Sequence, residues 1–325
     1  MSAITTLVTG GSGFVGPYLI AALEALGRDV VALGEAPARG TRHYPPEIRP
    51  RWRQIDLCDR HAVEAIVRET RPAELYHLAA LSSVAASFED PSQTYQTNLM
   101  GTVYLLEAVR RHAPDARVLL VSSAEVYGGL SSPLDENCPF APANPYAASK
   151  VGAEMAGLAY FRAHGLGVVR ARAFNHTGPG QLDRFVIAAF AKQIALIEAG
   201  RQEPLLRVGN LSARRDFLDV RDVVAAYTAL MARGAAGAAY NVASGRAVAM
   251  QALLDQLLAC SSADVRVETD PALLRPVDVP ELVGDRRAIG EATGWEPRIP
   301  LDQTLSDVLA DWRERVRMLG TPLLA

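Results

Sequence analysis

The chain is expected to fold as an α/β protein, a doubly wound parallel sheet with a smaller, discontinuous second domain on its C-terminal side. Three observations predict this. Ile4–Thr9 (ITTLVT) is a short β-branched run that leads into Gly10, Gly11, Ser12, Gly13, Phe14, Val15 and Gly16, and then into the helical pattern PYLIAALEALG. Short apolar runs then alternate with amphipathic stretches through the first half of the chain. Repeated strand–helix units of that length imply a parallel sheet with right-handed crossovers. From Asn175 onward the simple alternation stops, so a second unit begins there.

Arg28–Gly34 (RDVVALG) reads as the second strand, followed by a loop rich in Pro and Arg from Glu35 to Pro50. Arg51–Leu57 is expected as the third strand, and residues 59–70 as its helix, with Asp59 a suitable N-cap. Residues 74–80 form the fourth strand, 91–113 a long helix, 117–123 the fifth strand and 166–174 the sixth. Beyond Asn175, HTGPG is a turn cluster, Asp183 opens an amphipathic helix that runs to Gly200, and LLRVG is a short strand. Residues 217–234 are expected to return to the first domain, and 238–244 to add a last strand to its sheet. A helix from Met250 to Cys260, the strand VRVET and two further helices complete the chain. The expected division is 1–173 with 217–244 for the first domain, and 174–216 with 245–325 for the second.

Strand, glycine turn and helix in that order turn a glycine pattern into a Rossmann-type dinucleotide site. Gly10, Gly13 and Gly16 let the backbone approach a pyrophosphate, while the helix N-terminus, with Phe14 and Val15 before it, supplies N–H donors and a favourable dipole. The spacing is G-x-x-G-x-x-G. In such sheets ligands sit beyond the carboxyl ends of the strands. After the second strand stand Gly34 and Glu35; a carboxylate there accepts hydrogen bonds from ribose hydroxyls and repels a 2′-phosphate. Arg39 and Arg42 follow and suit that phosphate instead. The cofactor is therefore NAD(H) or NADP(H), with the balance tilted to NAD. Ala79 and Ala80 are small, as backbone passing close to a cofactor requires, though core packing explains them nearly as well.

The stretch Val121–Lys150 carries the candidate chemistry. Ser123 ends an apolar run, and Tyr146 and Lys150 follow Pro145, four residues apart. Pro suits the first position of a helix, and residues four apart share a face. A nearby cation favours the charged phenol, so Lys150 is expected to pull the Tyr146 pKa down from about 10. Tyr146 is then the proton donor or acceptor, and Ser123 a second hydrogen bond to the same substrate oxygen. A surface Tyr and Lys on an ordinary helix would show the same spacing; the glycine turn at the other end of the chain tips the balance.

Composition excludes several classes. The chain has 325 residues, 49% hydrophobic and 21% charged, enough for a large core in one or two domains. A net charge of −3 gives no basic field for nucleic acid. Cys58, Cys138 and Cys260 are widely spaced, which argues against a disulfide framework and fits a reducing cytosol. His43, His61, His77, His112, His164 and His176 lack metal-ligand spacing, so no metal is expected. With no basic-then-apolar leader and no long apolar run, a cytoplasmic protein without membrane contact is the expectation.

TGGSGFVG, the SAEVYG run at residues 123–128 and YAASK at residues 146–150 together resemble the extended short-chain dehydrogenase/reductase family, over nearly the whole chain. AFNHTGPGQ, FVIAAFAKQIALIEAG, VGNLSARRDFLDVRDVVAAY and LRPVDVP further resemble the GDP-6-deoxy-D-mannose reductases, whose cousins are the GDP-mannose 4,6-dehydratases. The resemblance implies reduction of GDP-4-keto-6-deoxy-D-mannose to GDP-D-rhamnose. It adds Asp56 and Leu57 as an adenine-contacting pair, favoured over the alternative of Asp56 as a plain loop or capping carboxylate. Leu78 with Ala79 and Ala80, Phe174, and Lys150 on the nicotinamide ribose complete the implied cofactor set. Asn98 reads either as part of it or as a brace for neighbouring backbone.

On the substrate side, the resemblance implies Asn175 and Arg215 on the diphosphate, Arg275 and Asp278 on the nucleoside, and Val186, Val208 and Gly209 in a guanine pocket. Glu125 keeps three readings: the base at sugar C5 that dehydratases use, the acid that reductases also carry there, or a carboxylate that bonds a hydroxyl or a loop. Where dehydratases carry a Lys, this chain has Ala189, which weakens the dehydratase reading. A C4 epimerase would use the same residues. A non-catalytic dinucleotide-binding regulator would keep the glycine turn, but the presence of both Tyr146 and Lys150 counts against it. The apolar stripes Tyr95–Val109 and Val151–Ala163 carry more apolar surface than one sheet face needs; the resemblance implies a homodimer through a four-helix interface there, with core packing alone as the alternative.

Overall fold

A computed structural model describes residues 4–34, 50–130, 133–274 and 279–318. Seven parallel strands form the main sheet, in the spatial order Arg51–Arg53, Asp29–Leu33, Thr5–Thr9, Glu74–His77, Arg117–Ser123, Gly167–Ala173 and Ala239–Val242. The order reverses beside the first strand, where Thr9 pairs in register with Leu33 on one side and His77 on the other. That reversal opens a crevice at the carboxyl edge, the ligand position of this architecture.

The strands read as nearly unbroken apolar runs because both faces are covered. Leu7, Val31, Leu75, Val118 and Val168 face one layer, which contains Val63, Ile66 and Val67 of helix Arg60–Thr70 and Leu105, Leu106 and Val109 of helix Gly101–His112. Their neighbours Val8, Val30, Ala32, Tyr76, Leu119 and Val169 face the other, with Leu19, Ile20 and Leu23 of helix Gly16–Ala25 and Val223, Tyr227 and Leu230 of helix Val220–Arg233. Burying each such aliphatic side chain contributes about 1.5–3 kcal/mol.

A separate core lies on the C-terminal side. Ile187, Phe190 and Ile194 of helix Val186–Glu198 pack with Leu253, Leu254 and Leu257 of helix Met250–Ala259 and with Leu305, Leu309 and Trp312 of helix Leu301–Met318. A small cluster of Val126, Tyr127, Leu134, Phe174, Ala243 and Leu282 fills the junction. There the buried Asp216 carboxylate accepts from Ser244 N (2.7 Å), Ser244 Oγ (2.6 Å), Gly245 N (2.9 Å) and Gly284 N (3.3 Å), tying three passing segments together.

The expected segmentation needs four corrections. The third strand spans only Arg51–Arg53, because Asp56 begins an Asx turn by accepting from Cys58 N at 2.8 Å. A short helix, Val84–Glu89, precedes the long one, capped by Ser83, whose hydroxyl accepts from Ala86 N at 3.2 Å. The long helix itself contains a π turn at Gln96–Met100. Finally, residues 245–325 do not all belong to the second core. Ile289 and Trp295 are buried in the sheet layer that holds Val223 and Tyr227, and Trp295 Nε1 donates to Asp222 O at 3.0 Å. Asp222 Oδ2 in turn accepts from Arg298 N and Ile299 N, so the chain re-crosses to the sheet before its last helix. Trp295→Ala should therefore lower unfolding free energy by about 3–5 kcal/mol in urea titration, the range for emptying a large core site; a change under about 1 kcal/mol would place this indole outside the sheet core.

Candidate active site

The glycine turn is shaped by close approach. Gly10 leaves the first strand at φ +71°, and a Cβ there would stand 2.8 Å from the backbone N of Ala79. The turn thus lies directly on the chain leaving the fourth strand. A Cβ on Gly16 would overlap the carbonyl oxygen of Gly11. Helix Gly16–Ala25 begins with Val15 at its N-cap and no side chain capping it. Backbone donors, the positive end of the dipole and an approach free of side chains together fit a pyrophosphate. Ser12 and Gly13 are exposed at the rim, with Phe14 and Val15 half-buried behind them.

The fourth strand end is held by hydroxyls. His77 is buried between Thr9 Oγ1 (2.7 Å) and Thr102 Oγ1 (2.9 Å), and burial pushes its pKa down to about 3, assisted by the Lys150 charge. Thr9 Oγ1 also accepts from Ala79 N at 3.2 Å. Leu78, Ala79 and Ala80 are half-buried beside the glycine turn, where a dinucleotide would pass.

At the second strand end, Gly34 has φ +146°, and a Cβ would stand 2.5 Å from Ser12 Oγ. An acidic side chain at this position is excluded by both backbone and space. Glu35, with Arg39 and Arg42, lies outside the described residues. Asp56 is exposed and caps its own turn through Oδ1, the plainer of its two expected roles. Leu57 is buried beneath, against Gly101, with its side chain in the sheet core.

Burial bears on two further residues of the implied cofactor set. Asn98 is 1% exposed; its Oδ1 accepts from Leu81 N (2.8 Å), and its Nδ2 donates to Leu81 O (3.1 Å) and Ser149 Oγ (2.9 Å). It braces backbone, and the π turn is what aims it there. Phe174, 1% exposed, turns its ring into the junction cluster, 6.4 Å from the Tyr127 ring.

Helix Pro145–His164 carries Tyr146 and Lys150. Asn144 caps it, Oδ1 accepting from Ala147 N at 2.8 Å, while Nδ2 donates to Glu125 Oε2 at 3.3 Å. Sequence reading passed over Asn144; an Asn directly before Pro at a helix start was the signal. It also passed over Ser149, whose hydroxyl donates to Tyr146 O at 2.7 Å and links the helix to Asn98. Ser123 is nearly buried at the end of its strand, and its Oγ accepts from Glu125 N at 3.2 Å.

The expected effect of Lys150 on Tyr146 is overturned. Burial pushes the Tyr146 phenol up to about 12; a hydrogen bond with Ser123 draws it back in part, and Glu125 adds to the rise. Lys150 Nζ instead donates to Val121 O at 2.7 Å. Burial lowers its own pKa to about 8, with Glu154 acting the other way. The phenol is thus neutral at physiological pH, a proton donor and not a ready acceptor.

The substrate-side residues are partly brought together. Asn175 Nδ2 donates to Asp216 O at 3.4 Å. Arg215 is buried, and its Nη1 donates to Val279 O (2.6 Å) and Arg214 O (2.9 Å). Val186 is exposed at the start of its helix. Gly209 lies under the turn Pro271–Leu273, where a Cβ would stand 2.8 Å from Leu273 O. Val208, 1% exposed, packs its side chain into the second core. Arg275 and Asp278 lie outside the described residues. Among the described residues no cluster of His, Cys, Asp and Glu could hold a metal ion, and no helix is long and apolar enough to cross a membrane.

A family model described as GDP-mannose 4,6 dehydratase matches residues 7–308. The chain belongs to that family. Within the GDP-mannose 4,6-dehydratase family and its extended short-chain dehydrogenase/reductase fold, it is 38% identical over 313 residues to a GDP-6-deoxy-D-mannose reductase of Pseudomonas aeruginosa, covering 95% of this chain and 97% of that one. It is 31% identical to GDP-mannose 4,6 dehydratase 2 of Arabidopsis thaliana, over 91% and 83% of the two chains. The solved structure of RMD from Pseudomonas aeruginosa complexed with NADPH superposes with a TM-score of 0.84 at 36% identity, covering 96% of this chain and all of that one.

The pH dependence follows from the two pKa directions. Lys150 holds its charge below about 8 and loses it above, whereas Tyr146 stays protonated throughout that range. If the charged Lys150 is the active form, kcat/KM should fall as pH rises through about 8; a basic limb first appearing near 10, the ordinary lysine range, would contradict this assignment.

Proposed function

We propose that the chain is an NAD(P)H-dependent reductase of a GDP-linked 4-keto-6-deoxyhexose, turning the C4 ketone of GDP-4-keto-6-deoxy-D-mannose into the alcohol of GDP-D-rhamnose. The observation that supports the reading is geometric: Tyr146 and Lys150 share one helix face at the carboxyl edge of the sheet, where Lys150 Nζ donates to Val121 O beside the Ser123 strand end. The substrate class rests on the likeness to the Pseudomonas aeruginosa reductase along nearly the full length of both chains. The glycine cradle accepts the dinucleotide diphosphate, and when bound its reduced nicotinamide supplies the hydride.

The chain's own groups then do four things. Ser123 holds the ketone oxygen. Tyr146 gives that oxygen a proton as negative charge develops on it. Lys150, charged below about 8, offsets the charge left on the phenol. Asn175 and Arg215 meet the diphosphate, Arg275 and Asp278 the nucleoside, and Val186 and Gly209 line the base pocket. A homodimer through helices Gly101–His112 and Pro145–His164 and a cytoplasmic location go with this reading. Sedimentation equilibrium at twice the chain mass of 34.9 kDa would support the dimer.

A second reading, 4,6-dehydration, is favoured by one observation. The Glu125 carboxylate is held by Asn144 close enough to raise the Tyr146 pKa, where a base could serve the same sugar. Two experiments separate the readings. Tyr146→Phe should cut turnover on the keto sugar by about 10²–10⁴ with cofactor binding little changed, the loss expected for a general acid; near-normal turnover would remove Tyr146 from the reaction. The wild-type chain should oxidise NADH or NADPH only when a 4-keto sugar is supplied and should leave GDP-mannose untouched. Consumption of GDP-mannose with no net change in nicotinamide absorbance would favour the dehydratase.

A further inference from the structure

Beneath the catalytic side chains runs a buried polar network that the reaction described above does not use. Glu154, fully buried, stands on the same helix as Tyr146 and Lys150, eight and four residues further along and so on one face. Arg170 and Arg172 alternate on strand Gly167–Ala173 and reach that helix from the same side of the sheet. Arg172 donates from Nε (2.9 Å) and Nη2 (2.6 Å) to Glu154 Oε1, while Arg170 Nη1 donates to the same oxygen at 3.1 Å.

The other arm of Arg172 leads to the second catalytic element. Its Nη1 donates to Tyr127 Oη at 2.8 Å and to Glu136 O at 3.0 Å, and its guanidinium lies 4.8 Å from the Phe140 ring centre. Tyr127 ends the turn Ala124–Tyr127, which starts at Ser123 and carries Glu125. Tyr127 Oη continues the chain by donating to Asn241 Oδ1 at 2.7 Å, and Asn241 Nδ2 donates to Leu134 O at 2.8 Å. One buried planar fork therefore bonds at one end to the helix bearing Tyr146 and Lys150, and at the other to the turn bearing Ser123 and Glu125. A rigid bidentate fork fixes a separation that a lysine cannot.

We infer that Arg172, held by Glu154 and joined to Tyr127, is a positioning residue that sets the distance between the Ser123–Glu125 turn and the Tyr146–Lys150 helix. The inference rests on the reductase reading for its kinetic test and on geometry alone for its structural one. A misplacement of about 1 Å between reacting groups can cost about 10²-fold, with ligand binding intact.

The test uses Tyr127→Phe, which keeps the ring in the junction and removes only the hydroxyl, together with Arg172→Lys and the double variant. Tyr127→Phe should lower kcat on the keto sugar by about tenfold or more, with KM and the NADPH Kd within about twofold. The double variant should be no worse than the poorer single one, because both cut the same link. Amide hydrogen exchange on the substrate-free proteins should rise in residues 124–127 and 145–150 of Tyr127→Phe. Unchanged kcat, parallel loss of kcat and NADPH binding, additive effects in the double variant, or unchanged exchange in both segments would each overturn the inference. A wild-type chain that reduces no nucleotide keto sugar would overturn the reductase reading instead, and the exchange result would then decide on Arg172.

Discussion

The site depends on how closely two stretches of backbone approach at the centre of the sheet. Gly10 rests on Ala79 with no room for a side chain between them, and Gly16 is pressed against Gly11 in the same way. Because these positions carry no Cβ, the first and fourth strands can end side by side while the chain still turns into an uncapped helix. The crevice that results is lined by backbone donors in place of side chains. Everything placed around it, from Thr9 and His77 to the loop braced by Asn98, keeps that approach rigid.

Burial then sets the protonation of the site. Tyr146 and Lys150 are both less than a tenth exposed, and desolvation penalises the charged form of each. It acts in opposite directions on their pKa values: the phenol becomes a weaker acid and the ammonium a stronger one. Their neighbours temper but do not reverse this, Ser123 for the phenol and Glu154 for the ammonium. A neutral donor beside a marginally held cation suits delivery of a proton to a forming alkoxide.

The fold was legible in the residues to a large extent. The glycine turn, the seven strands apart from the shortened third, and the helix opened by Pro145 stand where periodicity and capping put them. The candidate residues Ser123, Tyr146 and Lys150 lie near one strand edge. Which way individual side chains turn was less legible. Phe174, Leu57 and Val208 lie at strand ends or in turns, where a one-residue change of direction decides between crevice and core, and each turns inward. Asn98 was aimed by a π turn that has no periodic signature. Ile289 and Trp295 sit far along the chain from the sheet they pack on, so nothing local marked them.

By itself, the sequence determined the alternation of strands and helices, the position of the glycine cradle and the helical spacing of Tyr146 and Lys150. These depend on local propensity, spacing and the absence of a Cβ, all of which are written in neighbouring residues. Tertiary structure alone decided the charge states of Tyr146 and Lys150, the turning of strand-end side chains into the core, and the bridge from Glu154 through Arg172 to Tyr127. Those properties arise from desolvation and from contacts between residues tens of positions apart, and they exist only once the sheet has assembled.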